Sequence, residues 1–380
     1  MDFSLTDEQR LIHRTVREFA ERELRPHAAE WDRDGVFPRA LIPAIADLGL
    51  WGMTVPAAYG GSEVDILSLA LAIEALAWGD GGVALAVASH NSLCSGHIAR
   101  FASEEQKRRY LPRLASGEAL GAWCLTEPGA GSDAGAIQTR ADRRGDEWIL
   151  TGTKVFVTQG SIGGIYVVMA VSDPAAGRDG ISAFVVERDN PGLRVGKKED
   201  KLGVRSSDTA EVVFDECVLP DAARVGRPGE GYRQAMRVLE GGRIGIAAMA
   251  VGLGRAALDA SVSYAQERRA FGRPIAEHQA LGFMMADGAA ELDAAWLLVA
   301  RAATLAQGDR PFRREASMAK LYAAEAAARA AARGVQIHGG YGFVKGSIVE
   351  RVYRDVKLTE IGEGTSEIQR IIIAKSLLED

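Results

Sequence analysis

The chain is poor in cysteine and has no recognisable set of metal ligands. Its 380 residues include three cysteines, Cys94, Cys124 and Cys217, which lie far apart and form no Cys-x-x-Cys pair. An odd number of widely spaced cysteines predicts a reducing compartment, with neither a disulfide framework nor a zinc site. No two of the six histidines have the spacing of metal ligands, and the His-Glu-x-x-His motif is absent. The sequence therefore predicts no metal centre.

Other absences narrow the class of protein further. The net charge is −6 and no long basic run occurs, which argues against nucleic-acid binding. No stretch of eighteen apolar residues is present, so we expect no membrane span. Residues 1–7 have neither a basic nor an apolar signal-peptide region, and we expect a cytoplasmic protein. The Gly-x-Gly-x-x-Gly motif of Rossmann sites and the Gly-x-Ser-x-Gly nucleophile elbow are also missing.

What is present is the composition of a soluble globular protein with two or three domains. Hydrophobic residues make up 47% of the chain and charged residues 25%, and 380 residues are too many for one ordinary core. Residues 1–120 have helical periodicity, with capping boxes that begin at Thr6 and Ser103. Residues 121–228 contain short β-type runs between Pro and Gly, which predict a sheet or barrel. Long Ala-rich helical patterns over 229–380 suit an antiparallel bundle, so the predicted fold class is α+β.

Four segments carry residues suited to a ligand site, and each also has a purely structural interpretation. Residues 123–133 suit a flat heterocycle and a phosphate, or only a strand-to-loop connection. Phe156 and Thr158 share one strand face, where they would border a flavin ring or belong to an ordinary core. Arg268 suits a pyrophosphate, or merely the dipole of a helix C-terminus. Residues 336–342 close a helix with glycines, as a plain C-cap also does.

Glu363 is the best candidate for a catalytic residue. It lies between Gly362 and Gly364, directly before a predicted helix with Thr365 as its N-cap. A carboxylate on a flexible turn beside a helix can reach into a cleft and act as a general base. The positive end of the helix stabilises the carboxylate, so we expect the base to strengthen chiefly when bound substrate excludes water.

Taken in order, these segments resemble the acyl-CoA dehydrogenase family of flavoproteins over essentially the whole chain. The most specific sequences are Leu-Thr-Glu-Pro-Gly-Ala-Gly-Ser-Asp at 125–133 and Glu-Gly-Thr-Ser at 363–366. Residues 267–272 and 336–340 add independent support. The resemblance implies a dehydrogenase that passes its electrons to an electron-transfer flavoprotein.

The resemblance also implies an architecture. It predicts an N-terminal all-α domain over 1–120, a middle β-domain over 121–228 and a C-terminal four-helix bundle over 229–380. FAD would lie between the β-domain and the bundle, partly at a subunit interface. That arrangement implies a homo-oligomer, and a tetramer is usual in the family.

The roles implied by the resemblance follow residue by residue. FAD would contact Trp123, Leu125, Thr126, Gly131, Ser132, Phe156, Thr158, Arg268, Phe271, Gln279, Gln336, Gly340, Thr365 and Glu367. Within this set Phe156 would lie over the ring and Thr158 would approach flavin N5. The acyl-CoA would contact Ser132, Glu240, Arg243 and Gly364. Glu363 would take the α-proton of the thioester while the β-hydrogen leaves as hydride to N5, which yields the trans-2-enoyl-CoA.

The position of the base has one rival within the family. A minority of members place it just before the arginine that matches Arg243, and here that position is Gly242. Glycine cannot act as a base, so Glu363 is the better candidate. Two other readings stay open: an oxidase of the same fold, and a non-catalytic flavoprotein or binding partner.

Several positions depart from the common family pattern. The chain has Phe156 where many members have Trp, Gly362 where many have Tyr, Ala270 in place of a common Thr and Glu367 in place of a common Gln. The segment 90–97, which matches the pocket helix, is unusually polar. Its polarity favours a short or functionalised acyl group, unless these side chains face elsewhere.

Overall fold

The computed structural model describes residues 4–379, which run from helices through a sheet and back to helices. The helices before the sheet are α1 (Asp7–Phe19), α2 (Ala28–Asp34), α3 (Ile42–Asp47), α4 (Ile66–Gly79), α5 (Gly81–Ser89), α6 (Gly96–Phe101) and α7 (Glu104–Ala115). Both predicted capping boxes are confirmed, since Thr6 and Ser103 accept from the N3 amides and the N3 glutamine side chains bond back. This α+β organisation agrees with the fold class predicted from the sequence.

The apolar pattern over residues 83–101 predicts one continuous helix, but the helix is interrupted in the structure. Between α5 and α6 the backbone forms a π-helical segment, His90–Ser95. π-Helical turns are rare and often occur at functional sites. Here the turn presents Asn91 and Ser92 toward a cavity described below.

The sheet is formed by β1 (Gly121–Cys124), β2 (Arg140–Arg144), β3 (Glu147–Thr158), β4 (Ile165–Val171), β5 (Ile181–Glu187), β6 (Leu193–Lys198), β7 (Thr209–Pro220) and β8 (Arg224–Val225). The strand order is β6-β7-β3-β2-β4-β5-β8, with β1 parallel to β4. The sequence pattern predicts two separate β-type runs at 147–151 and 154–158. In the structure they form one strand, β3, with register shifts beside Gly152 and between Lys154 and Val157. Strands β2, β6 and β8 were not predicted, because they are short or rich in charged residues.

The C-terminal elements are α8 (Gly231–Glu267), the hairpin β9 (Arg269–Ala270) and β10 (Arg273–Pro274), α9 (Gln279–Gln307), α10 (Arg313–His338), α11 (Ile348–Ile361) and α12 (Ser366–Glu379). Helix α11 was missed, although Val349, Val352 and Val356 have helical spacing and are buried.

Helix α8 is the central element of the molecule. It packs against α4, α9, α10 and α11, and one continuous core joins the N-terminal helices to the bundle. Among residues 4–379, α8 alone is long and apolar enough to cross a membrane, and 78% of its most apolar stretch is buried inside the protein. That burial is typical of a core helix. A second apolar cluster links α6 and α7 to β1, β4, β5 and α8, so the sheet is fixed against both helical parts.

Candidate active site

The turn that carries Glu363 connects α11 to α12 and has an unusual backbone. Glu363 has φ = 55° and Gly364 has φ = 97°. A non-glycine residue at such a φ is strained, and it persists only where its surroundings hold it. Thr365 is the N-cap of α12, because its Oγ1 accepts from the amide of Ile368 at 3.4 Å.

The Glu363 side chain points at α8, where Gly242 makes room for it. A Cβ atom built on Gly242 would lie 2.0 Å from Glu363 Oε2, far inside contact distance. The position that holds the alternative base in some relatives is thus occupied in space by the carboxylate of Glu363. The two positions are 121 residues apart in sequence, yet they meet at one point in the fold.

Burial dominates the electrostatics of this carboxylate. Within residues 4–379 its Oε2 atom is buried without a hydrogen-bond partner. Loss of solvent raises the pKa of Glu363 to about 7, and the nearby charges of Lys320 and Arg243 oppose that rise. Burial of Oε2 thus already raises the pKa in the free protein, and a further rise with bound substrate stays a prediction. The side chain lies against α8 rather than at the α12 amides, which explains why the helix end does not reverse the shift.

Three buried polar side chains surround the turn. Arg243 of α8 is 5% exposed, and its Nε and Nη1 atoms have no partner in the part of the chain that the structure describes. Lys320 of α10 is fully buried and its Nζ donates to the Gly364 carbonyl at 2.7 Å. Gln369 of α12, also fully buried, donates to the same carbonyl at 2.9 Å. The sequence analysis missed Lys320 and Gln369.

A sequence signal for Lys320 does exist. It is the lysine of an Ala-rich helix at a position flanked by the buried residues Ala316, Ala319, Ala323 and Ala324. A lysine on the apolar stripe of a helix is rare without a partner, so its placement points to a specific role.

The predicted flavin loop of the β-domain is held by hydrogen bonds at residues 125–127 and is exposed to solvent at residues 131–132. The Leu125 carbonyl accepts from Lys154 Nζ at 3.0 Å, and the Thr126 carbonyl accepts from the Val155 amide at 2.9 Å. The Glu127 carboxylate accepts from Lys154 Nζ at 2.7 Å and also from two backbone amides. Further along the loop, Gly131 and Ser132 are exposed, and a Cβ atom added to Gly131 would meet no atom within 4 Å.

Phe156 emerges from the sheet at the bulge in β3. It is 65% exposed with φ = 56°, and Thr158 is half-buried two residues on. Bulges commonly redirect side chains beside active sites. Trp123 differs, because its side chain is buried and its indole N–H donates to His97 Nδ1 at 3.2 Å. Its ring belongs to the core and does not lie on the exposed face.

The residues predicted for the adenosine end lie together on the bundle. Arg268, Phe271 and Gln279 are exposed on and beside the β9–β10 hairpin, and Phe271 is 94% exposed. The apolar cluster of Ala265, Ile275 and Ile337 joins this hairpin to the end of α10. Gln336 and Gly340 are exposed there as well, and Arg268 lies over the Tyr341 ring at 5.8 Å.

These positions fit a large aromatic dinucleotide such as FAD. Phe156 and Phe271 are exposed aromatic rings on strained backbone, and apolar rings so exposed are typical of ligand or partner surfaces. The open loop at Gly131 offers amide groups, and Arg268 offers a cation for phosphate. The hairpin packs on α8, whereas β3 packs on β2 and β7, so the two halves of the predicted site belong to different parts of the chain.

Residues of the predicted acyl-CoA site lie on either side of the Glu363 turn. Arg243 and Gly364 border Glu363 directly. Glu240 lies one turn before Arg243 on α8, with its Oε1 atom 3.8 Å from Arg313 Nε. Thr365 is half-buried beside the turn, and Glu367 is exposed on the first turn of α12. Ser132 lies on the open flavin loop.

A cavity of about 190 Å³ lies beside α8, where Gly241 and Gly245 line it. Its lining residues are Thr54, Ile66, Leu69, Ala70, Asn91, Ser92, Gly96, Ala99, Arg100, Val238, Gly241, Ile244, Gly245, Ala306 and Phe312. The polarity of the neighbouring π-helical segment is largely structural. Asn91 Nδ2 donates to the Leu50 and Val87 carbonyls, and His90 Nδ1 accepts from the Gly121 amide. The side chains of these two residues therefore serve the fold, and the cavity is mostly apolar.

Known proteins and protein families match this chain over nearly its whole length. It matches the models of the acyl-CoA dehydrogenase N-terminal domain over residues 6–118, the middle domain over 122–217 and the C-terminal domain over 229–378. It is 47% identical over 380 residues to the probable acyl-CoA dehydrogenase YngJ of Bacillus subtilis (strain 168), with 100% of each chain covered.

Two solved structures have the same fold throughout. Butyryl-CoA dehydrogenase from Megasphaera elsdenii is 41% identical with a TM-score of 0.98, covering 100% of both chains. A chain in a structure described as the electron transferring flavoprotein of Acidaminococcus fermentans is 44% identical, with the same TM-score of 0.98 and the same 100% coverage of both chains. With the three domain matches and the full-length identity, these likenesses show that the chain belongs to the acyl-CoA dehydrogenase family of flavin-dependent oxidoreductases.

Proposed function

We propose that this acyl-CoA dehydrogenase acts on short acyl-CoA thioesters, with FAD as its cofactor and Glu363 as the base that removes the α-proton. The observation that carries the proposal is the state of the Glu363 carboxylate. Its Oε2 atom is buried without a hydrogen-bond partner among residues 4–379, and the carboxylate lies against Gly242 beside Arg243. An unpaired buried carboxylate with a raised pKa is typical of a general base.

The protein's own groups would act in a fixed order. Arg243, Glu240, Ser132 and Gly364 would hold the thioester so that its α-carbon meets Glu363. The carboxylate then takes the α-proton, and the two electrons of that C–H bond form the new double bond as the β-hydrogen leaves with its electron pair. When bound, FAD supplies the hydride acceptor for that β-hydrogen. The product is the trans-2-enoyl-CoA, and the proton stays on Glu363 until it passes to solvent.

The cofactor would span two parts of the fold. The flavin and ribityl groups would lie against residues 123–132, Phe156 and Thr158 of a middle domain over 121–228. Because the adenosine-end residues sit on the bundle, at the hairpin and at the end of α10, we propose that the partner subunit supplies Arg268 and its neighbours. Such sharing requires a homo-oligomer, and we propose a tetramer.

The proposed electron acceptor is an electron-transfer flavoprotein in the same compartment, which we take to be the cytoplasm. The support is the full-length likeness to a chain from a structure of such a flavoprotein. Anaerobic reduction by substrate, followed by reoxidation that is slow in air and fast with that flavoprotein, would support this acceptor over oxygen.

The size of the cavity favours a short acyl group. A cavity of roughly 150 Å³ holds a benzene-sized molecule, and this one is about 190 Å³. The name of a relative with the same fold, butyryl-CoA dehydrogenase, points the same way. Phe312 and Leu69 line the cavity as large apolar side chains, so longer chains should require them to move.

The test is an anaerobic titration of the flavin-loaded enzyme with saturated acyl-CoAs of rising length, following loss of the oxidised flavin absorbance. We expect four-carbon and six-carbon thioesters to bleach the flavin at stoichiometric amounts and twelve-carbon or longer ones to react at least about tenfold more slowly, since each misplaced methylene costs roughly 1 kcal/mol or more. Equal bleaching by all lengths would contradict the short-chain proposal. A protein that is loaded with FAD and bleached by none would contradict the activity itself.

The raised pKa of Glu363 also predicts a pH dependence. Only the ionised carboxylate accepts a proton, so kcat/KM should rise with pH and reach half its plateau near pH 7 in the free enzyme. Because the folded pKa lies above the ordinary value of 4.5, the protonated form stabilises the native state. That contribution is present below pH about 4.5 and is lost as pH rises through 7. A kinetic midpoint near 4.5 would contradict the assignment of a buried base.

A further inference from the structure

The turn of the proposed base is tied to a helix by a lysine that the mechanism does not use. Lys320 lies about two turns from the start of α10, is fully buried, and donates from Nζ to the carbonyl of Gly364 at 2.7 Å. Burial lowers the pKa of Lys320 to about 8, which still leaves it charged at neutral pH. A buried ammonium group is costly unless it is paired, so the bond to this carbonyl is a specific feature of the site.

A second donor converges on the same oxygen. Gln369 Nε2 donates to the Gly364 carbonyl at 2.9 Å and approaches the Glu363 carbonyl at 3.4 Å. A carbonyl oxygen has two lone pairs, so both donors can be accepted together. Lys320 on α10 and Gln369 on α12 therefore hold the residue after the base from two helices.

Lys320 and Gln369, which together we call the clamp, bind the turn where its backbone is strained. Glu363 has φ = 55°, a conformation that a non-glycine residue would leave for the αR or β region if nothing held it. Relaxation of this turn would swing the carboxylate away from Gly242. The charged groups near the turn are Glu240 and Arg243 on α8, Arg313 and Lys320 on α10, Glu360 on α11 and Glu367 on α12.

We propose that Lys320 is a positioning residue for the general base, because its ammonium group ties the Gly364 carbonyl to α10 and so fixes the turn that presents Glu363 to the substrate. This inference rests on the proposed role of Glu363. Gln369 supports the same carbonyl without adding charge. The lysine thus has two separable effects, a geometric one shared with Gln369 and an electrostatic one that is its own.

The experiment compares Lys320→Met, Gln369→Leu and Ser317→Ala in the flavin-loaded enzyme. Lys320→Met should lower kcat by up to about 100-fold, since small displacements of a catalytic group have effects of that size. It should also raise the midpoint of the acid limb of kcat/KM by about one pH unit, because a neighbouring cation is lost. Gln369→Leu should lower kcat to a smaller extent and leave the midpoint in place.

Ser317→Ala is the matched control. Ser317 is fully buried one turn before Lys320 on α10, and its Oγ has no partner within the described range 4–379. Its removal should change neither kcat nor the midpoint. Flavin absorbance and thermal midpoint report folding for every variant.

The results for these variants support or overturn the proposal as follows. A Lys320→Met enzyme with the wild-type kcat and pH profile overturns the proposal, as does a Ser317→Ala enzyme with the same changes as Lys320→Met. If Lys320→Met does not fold, a wild-type kcat for Gln369→Leu overturns the clamp and a lowered one supports it. Retained turnover in Glu363→Gln would instead refute the proposed function, whereas an inactive Glu363→Gln beside a normal Lys320→Met refutes the clamp alone.

Discussion

Replacing Glu363 with Gln should reduce turnover by at least about 10³-fold while the protein keeps its flavin, because proton removal by a positioned base contributes up to about 10⁴-fold. The amide has nearly the same shape as the carboxylate, so the turn and the contact with Gly242 should persist. Turnover with a short acyl-CoA and an artificial electron acceptor measures the effect. The oxidised flavin spectrum reports cofactor content in the same sample.

The same variant should be more stable than the wild type above pH 7. Ionising Glu363 in the folded state is disfavoured by its burial, and the amide avoids that cost. The gain should approach about 3 kcal/mol at pH 8 and vanish below pH about 4.5. Chemical unfolding at two pH values tests this sign. Glu105→Gln serves as the control, since Glu105 is exposed on α7, a helix without any residue of the predicted site, and its replacement should affect neither quantity appreciably. Near-normal turnover in Glu363→Gln would refute its role as the base.

Adding one methyl group at Gly242 should also lower turnover by about 100-fold. The new Cβ would lie 2.0 Å from Glu363 Oε2, so the carboxylate must leave its place. The backbone of α8 is regular at this point, and alanine favours a helix over glycine by about 1 kcal/mol. We therefore expect Gly242→Ala to fold normally and to lose activity, which separates this steric effect from a loss of stability.

Gly288→Ala is the matched control for that substitution. Gly288 lies inside α9, and its Cβ would meet Leu258 at 3.6 Å, an ordinary contact. Both variants should match or exceed the thermal midpoint of the wild type, but only Gly242→Ala should lose kcat. If Gly242→Ala keeps full turnover, Glu363 does not act from the position that it occupies against α8.

Much of the fold was predictable from local patterns. The capping boxes at Thr6 and Ser103, the strand at residues 181–187 and the long C-terminal helices follow from periodicity and capping, which are properties of neighbouring residues. Within the sheet, an error occurred where pairing between strands overrides local preference. Strand β3 continues through Gly152 because β7 pairs with it on both sides of the bulge.

Some features of the candidate site also follow from the sequence alone, whereas others depend on the tertiary structure. The sequence by itself determined that Glu363 lies between glycines before a helix, that Gly242 cannot be a base, and that the motifs resemble those of one flavoprotein family. Only the tertiary structure decided that Gly242 and Glu363 touch, that burial raises the pKa of this carboxylate before any substrate binds, and that Lys320 reaches the Gly364 carbonyl across 44 residues of chain. Burial and contact depend on which helices pack together, and no local pattern encodes that packing.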